Sequence, residues 1–377
     1  MIEHVDFIAR VTYLTPESGG RSNPIPSGYR SQLVFPFSDQ QISAQQVFTG
    51  RDAAAPGESL EVSIQLAFPG LFRFTLLKGE TFELREGPNI IGRGNVSKVV
   101  NPELNKKLVI QNRMQGYFPI LFEFASAIKI DWETVYDTLT DKFNYHKANW
   151  TKRNGAPYRP QASFYDIIIG VQKEDEGAIR IFESIRMLFG SLHQRLDTVE
   201  KQLLKGSVFG FLTNMDSKYL NFIGELHFVN YIKITKPETS LVATESLIDE
   251  QDPDGPCFDF TFVNRSDESR LKAEIVNVHF NEHQDWDEER IQRHLEQKIV
   301  IKLADKRMKE RPDVILVPIF WGQPRCLAPV AAYYKGHSPT FPNTFTPFCY
   351  LPYGDSGRTL DHIFGTIDAM NFGETPQ

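Results

Sequence analysis

The sequence predicts an α+β multidomain protein, in which a small antiparallel β-barrel precedes a mixed α/β domain. Three observations lead there. Short strands with period-two alternation fill residues 5–100, helical periodicity takes over near residue 175, and helices then alternate with strands. A chain of 377 residues has length for two or three domains, each able to bury a core of its own.

The barrel is expected over residues 1–100. Leu60-Glu-Val-Ser-Ile-Gln-Leu66 alternates apolar and polar side chains, and Gly, Pro and Asp turns separate it from similar stretches. Residues 101–160 read as a connector with one helix, 131–143, with Asp131 as an N-cap before Trp132 and Glu133. The α/β domain is expected over 161–377 and opens with a long helix, 175–204. Ala178, Phe182, Ile185, Phe189, Leu192, Leu196, Val199 and Leu203 step by four and three, which keeps one seam apolar. About 30 helical residues would span ~45 Å. Two uses of the seam are open, a homodimer through the 178–203 helix or packing within the domain. A helix containing 222–232 follows, then strands near 258–263 and 271–280. The next helix, about 286–306, would be capped by Asp285, with Asp287, Glu288 and Glu289 in its first turn. Residues 314–320 form a buried strand. Residues 340–377, rich in Pro, Phe, Thr and Gly, read as loop-rich surface cover.

Composition narrows the function classes. The chain is 41% hydrophobic and 24% charged, as in ordinary globular proteins. No apolar run approaches the roughly 18 residues of a membrane span. The start lacks a signal-peptide pattern, and Cys257, Cys326 and Cys349 are too scattered for a zinc motif or disulfide framework. A cytoplasmic protein without membrane partners is expected. Net charge is −1 over residues 1–100, +3 over 101–160 and −9 over 161–377, so any nucleic-acid contact must be a local patch. One candidate is His146-Lys-Ala-Asn-Trp-Thr-Lys-Arg-Asn-Gly-Ala-Pro-Tyr-Arg159. There Lys152 and Arg153 could track phosphates while Trp150 and Tyr158 stack on bases; the alternative is a solvated linker.

Three acids stand in a suggestive order in the second half. Glu225 lies on a helix in Gly224-Glu-Leu226, Asp259 on a strand in Gly255-Pro-Cys-Phe-Asp-Phe260, and Glu274 on a strand in Lys272-Ala-Glu-Ile-Val-Asn-Val278. Over roughly residues 175–320 this order resembles the PD-(D/E)XK nuclease superfamily, whose members carry G-E-L, G-P…D-F and E-V-K. Phosphodiester cleavage needs a hard cation on carboxylate oxygens, and magnesium takes one or two of these plus waters. The resemblance therefore implies Mg²⁺ or Mn²⁺ on Asp259 and Glu274, assisted by Glu225. Val276 replaces the motif lysine. Strand alternation puts Lys272 on the face of Glu274. Lys298 and Lys302 on the following helix are the other sources of positive charge. The structural alternative is that Asp259 caps or pairs locally, Glu274 meets Lys272 or Arg270, and Glu225 is a helix-face charge. His279-Phe-Asn-Glu-His283 also fits the H-x-x-E-H pattern of inverted zinc peptidases. That chemistry needs both imidazoles on one helical face. Here the pentad runs off a strand, so His279 and His283 are expected instead as substrate contacts near the carboxylates.

The barrel region has its own resemblance. It rests on Tyr13-Leu-Thr-Pro-Glu-Ser-Gly-Gly-Arg-Ser-Asn-Pro-Ile-Pro-Ser-Gly-Tyr-Arg-Ser-Gln32, Pro56-Gly-Glu, Phe82-Glu-Leu-Arg-Glu-Gly87 and Ile91-Gly-Arg-Gly94. These resemble, in order, motifs of the C-terminal β-barrel domain of elongation factor Tu. In that family the first motif lies beside the tRNA T-stem, which implies RNA contacts at Arg21 and Gln32; a structural role for Arg21 is equally open. Ser22, Asn23 and Ser31 depart from the family pattern. No G-x-x-x-x-G-K-[ST] loop occurs, so GTPase function within this chain is excluded. The expected function is a metal-dependent nuclease, acting on DNA or RNA, targeted by the barrel and serving in defence against foreign nucleic acid. The alternative is a catalytically inactive adaptor that binds tRNA or a protein of the translation machinery.

Overall fold

Apolar residues at alternate positions close the first hundred residues on themselves. The computed structural model describes residues 4–36, 38, 41–73, 75–105, 109–154, 163–215, 218–247, 257–281, 283–305, 314–339, 341, 343–350 and 364–370. It divides into two compact units, Met1–Arg113 with Asp131–Pro160, and Met114–Ile130 with Gln161–Gln377.

The first unit holds β1 (Phe7–Tyr13), β2 (Ile25–Pro26), β3 (Arg30–Val34), β4 (Gln41–Val47), β5 (Ala53–Ala54), β6 (Ser59–Leu66), β7 (Thr81–Glu86) and β8 (Asn89–Val99). Six of these close a barrel in the order β1-β6-β4-β3-β7-β8, while β2 and β5 pair separately. The barrel pairings are antiparallel. Phe7, Ala9, Val11 and Tyr13 of β1 are buried, whereas Arg10 and Thr12 between them are exposed. Phe35, Phe72 and Phe82 fill the interior beside Phe7. The polar groups admitted there are matched. Tyr13 donates to Gln46 Oε1 at 2.6 Å, and Gln46 donates to Ser31 Oγ at 2.9 Å. Asp6 accepts from Leu66 N at 2.7 Å and from Asn101 Nδ2 at 2.8 Å, which ties β6 to the chain leaving β8.

The described residues of 101–160 carry three α-helices where one was expected: α1 (Val109–Tyr117), α2 (Pro119–Ala127) and α3 (Trp132–Asn154). Asp131 does begin α3, accepting from Glu133 N at 3.1 Å. The helix continues beyond 143, so Lys152 and Arg153 are helical in backbone; their side chains, and residues 155–160, lie outside the described residues.

The second unit adds α4 (Phe164–Gln172), α5 (Glu176–Arg195), α6 (Thr198–Leu203), α7 (Lys205–Thr213), α8 (Tyr219–Thr235), β9 (Thr239–Leu247), β10 (Cys257–Asn264) and β11 (Arg270–His279). A helical run then comprises α9 (Glu288–Leu295), a π-helical turn (Glu296–Val300) and α10 (Ile301–Asp305). It leads to β12 (Val314–Trp321), α11 (Pro324–His337), β13 (Phe348–Tyr350) and β14 (Phe364–Thr366). The sheet order is β14-β13-β12-β11-β10-β9. β11, β12 and β13 run parallel, and the other neighbours pair antiparallel.

The single helix expected over 175–204 is interrupted. Leu196 turns extended (φ −93°, ψ 136°), and Asp197 restarts the chain as the N-cap of α6 in a capping box with Glu200. Apolar periodicity runs straight through this break, which is why it misleads. Phe182, Ile185, Phe189, Leu192 and Leu196 of the seam are buried, with Phe182 and Phe189 against Phe118, while Val199 is exposed. Asp287, not Asp285, caps α9, accepting from Arg290 N at 2.9 Å. Phe348, Cys349 and Tyr350 are wholly buried sheet residues, so surface cover does not describe this part of 340–377.

Glu200 does more than cap. It is 2% exposed and accepts from Lys233 Nζ at 2.8 Å and Leu241 N at 2.9 Å, joining α6, α8 and β9. Lys233 is buried as well and also donates to Thr239 O. Removing one partner strands the other charge, so Glu200→Ala should lose about 3–5 kcal/mol in urea unfolding. E200L/K233L should recover part of that loss; a double variant no better than E200A would deny the pair this role.

Candidate carboxylate site

The site is built where α8 crosses the sheet. A side chain at Gly224 would run into Asn277 Oδ1, Ile319 Cδ1 and Trp321 Cζ2, each 3.0 Å from its Cβ position. Glycine thus lets α8 lie close against β11 and β12, and its neighbour Glu225 reaches the acidic residues of the strands. Burial pushes the Glu225 carboxyl up to about 8, with the charges of Asp259, Glu245 and Glu274 adding to the effect. Ser207 Oγ donates to Glu225 Oε2 at 3.0 Å and opposes it. The other two acids singled out in the sequence therefore both act on Glu225.

Asp259 Oδ2 accepts from Ile275 N at 2.6 Å, a side chain serving β11 where a ladder bond would otherwise run. Glu274, on β11, is 1% exposed, and Lys302 Nζ lies 2.7 Å from its Oε1. Of the expected lysines, Lys272 sits over the Phe258 ring at 5.3 Å. Burial lowers His279 and His294, and Lys298 adds to that lowering. Lys302 is the cation that reaches Glu274.

The π-helical turn explains how. Ile291, Leu295, Ile299 and Leu303 are all buried, at uniform steps of four. Such steps drift around an ideal α-helix of 3.6 residues per turn. The wider π turn compensates and holds the stripe, and Lys302 beside it, on the sheet side. π-Bulges of this kind often mark functional positions.

Glu245 was missed in the sequence. It lies in β9 between the residues paired with Phe258 and Phe260, which sets it across from Asp259. Its φ is 49°, a left-handed value that costs a non-glycine residue on the order of 1–3 kcal/mol. It is exposed, so the acidic cluster reaches solvent there. No sequence signal marks a strand residue with reversed backbone.

The other expected residues fall elsewhere. His279 donates from Nε2 to Asn221 Oδ1 at 2.9 Å and stacks on Trp321; burial, then Lys298 and His294, lower it to about 4. His279 ends β11 and His283 follows in a loop, so the pair shares no helical face, as the zinc-peptidase pattern requires. Gly255 lies outside the described residues. Arg21 pairs with Glu86, donates to Tyr29 OH at 2.9 Å and covers the Tyr29 ring. Gln32 is on β3, with its Oε1 buried and unbonded.

Among the described residues, no group of three His, Cys, Asp or Glu is placed to hold a metal ion. A two-carboxylate magnesium site asks for less, because waters complete the octahedron. An oxygen on each of Asp259 and Glu274 already accepts one bond, and a carboxylate has further lone pairs with which to meet such a demand.

Residues 1–100 match the family model of the elongation factor Tu C-terminal domain. The match coincides with the closed six-stranded barrel. Among the described residues no helix is long and apolar enough to cross a membrane.

Because Glu225 holds its proton in the folded chain, its contribution to stability is complete below the unfolded value of 4.5. It is lost as pH rises from there to about 8. The melting temperature of Glu225→Gln should match wild type near pH 4 and exceed it increasingly up to pH 8. A gap that does not change with pH would place the Glu225 carboxyl in an ordinary solvated setting.

Proposed function

We propose that this chain is a metal-dependent nuclease that hydrolyses phosphodiester bonds of DNA or RNA, with the barrel as its targeting module and defence against foreign nucleic acid as its setting. The observation that carries the reading is the Glu274–Lys302 contact within the Glu225–Asp259–Glu274 cluster, since a lysine stands by the carboxylate although Val276 occupies the motif position. Glu225 on a helix, with Asp259 and Glu274 on adjacent antiparallel strands, also supports a restriction-endonuclease-like domain.

Asp259 and Glu274 would hold Mg²⁺ or Mn²⁺. When bound, such an ion polarises a phosphoryl oxygen and acidifies a bound water. Lys302 orients Glu274 and offers positive charge where the phosphate gains negative charge. Glu225, protonated at neutral pH, spares the cluster a further negative charge and leaves a carboxyl proton beside it. The second reading is a catalytically inactive adaptor for tRNA or the translation machinery. It is favoured by the missing three-ligand group among the described residues.

Plasmid DNA, single-stranded DNA and total tRNA, each with Mg²⁺, Mn²⁺ or chelator, separate the two. Wild type should cut at least one of them only with metal. Asp259→Ala and Glu274→Ala should abolish cutting, and Lys302→Met should slow it by about 100-fold when assayed well below the variant's own melting temperature, which loss of the Glu274 contact lowers. A folded wild type that cuts nothing, or alanine variants that cut normally, would favour the adaptor.

A further inference from the structure

The barrel carries a groove of about 1140 Å³ on its outer wall, where β1, β7 and β8 run side by side. Arg10, Lys78 and Arg93 line it. None of the three is in an ion pair among the described residues, and both arginines are exposed. Glu83, the acid in the lining, faces Arg93 in the β7–β8 register and is ion-paired with Arg85. Glu61 stands across from Arg10 on β6, outside the groove. Thr12 and Asn95 occupy the neighbouring outward positions, since Arg10 pairs with Asn95 and Thr12 with Arg93 in the β1–β8 register; Thr12 bonds to Ser59 Oγ and Asn95 Nδ2 donates to Gly79 O at 3.1 Å. The two arginines are thus diagonal neighbours on adjacent strands, about 7–8 Å apart at their backbones. Concentrating positive charge on one wall is notable in a region whose net charge is −1.

We propose that this groove binds the sugar–phosphate backbone of a nucleic acid. The inference deepens the targeting role proposed above for the barrel, but names a surface other than the Arg21–Gln32 edge. Three features decide the occupant. Guanidinium forks suit phosphate oxygens, which accept two bonds at once. The lining offers no exposed aromatic ring, so bases have nothing to stack on and contact is independent of sequence. A peptide strand would need a free sheet edge for main-chain pairing, and a closed barrel has none.

Fluorescence anisotropy with labelled 20-nucleotide single strands of DNA and RNA, in chelator, reads binding without cleavage. The full chain is titrated across a salt series, and poly-glutamate serves as the acidic-polypeptide probe. Each phosphate contact to a single strand contributes about −0.7 to the slope of log K against log salt. R10Q/R93Q should therefore flatten the slope by about 1.4 and weaken binding about 25-fold at 0.1 M salt, equally for unrelated sequences. Arg30→Gln, which removes an exposed charge outside the groove, should leave the slope unchanged. Matching melting curves would show that the variants fold. The proposal is overturned if wild type binds neither strand at low salt, if poly-glutamate is preferred, or if R30Q rather than R10Q/R93Q changes the slope. Because no metal is present, these outcomes are independent of whether the carboxylate site cuts.

Discussion

A carboxylate buried in a sheet must be neutralised, and the second unit is arranged around that requirement at Glu274. The side chain is 1% exposed on a strand flanked by neighbours on both sides, where an uncompensated negative charge would cost several kcal/mol. Lys302 meets it from the helical run between β11 and β12. That contact needs a helix whose apolar stripe stays flat on the sheet and a π turn to keep it there. It also leaves the rest of the repulsion to be absorbed elsewhere. Glu225 absorbs it by keeping a proton, and Asp259 by accepting a backbone N–H. Glu200 and Lys233 solve the same problem away from the site, with every bond made inside the fold.

The parts legible in the sequence are those that follow from periodicity and turn chemistry. Strand alternation with Gly and Pro turns led to a barrel, and the closed six-stranded sheet and the match of residues 1–100 agree. Gly224-Glu-Leu226 stood out only through a family resemblance, and its glycine has a packing reason, since it lies where α8 approaches the sheet closely. The helix break at Leu196 was written in Asp197 and Glu200, but the uninterrupted apolar seam outweighed it. β13 is only three residues long and lies between Pro-rich segments, too short for alternation to show.

What was not legible depends on local backbone departures. Val276 stands where the motif puts lysine, and spacing alone cannot choose among Lys272, Lys298 and Lys302. The choice is made by a π turn that looks like ordinary helix in sequence. Glu245 joins the cluster through a positive φ inside a strand, which no residue type announces. Arg21 illustrates the converse. A motif position can be kept for an internal contact, here with Glu86 and Tyr29, while Arg10, Lys78 and Arg93 line a different wall of the barrel.

The central claim is that Asp259 and Glu274 together form a divalent-cation site beside Lys302. Anomalous diffraction from crystals soaked in Mn²⁺ tests it directly. The expected result is a manganese peak at the Asp259 and Glu274 carboxylates, absent from crystals of Asp259→Ala. Crystals saturated with Mn²⁺ that show no peak there, with Glu274 still held by Lys302 as a closed internal pair, would contradict it.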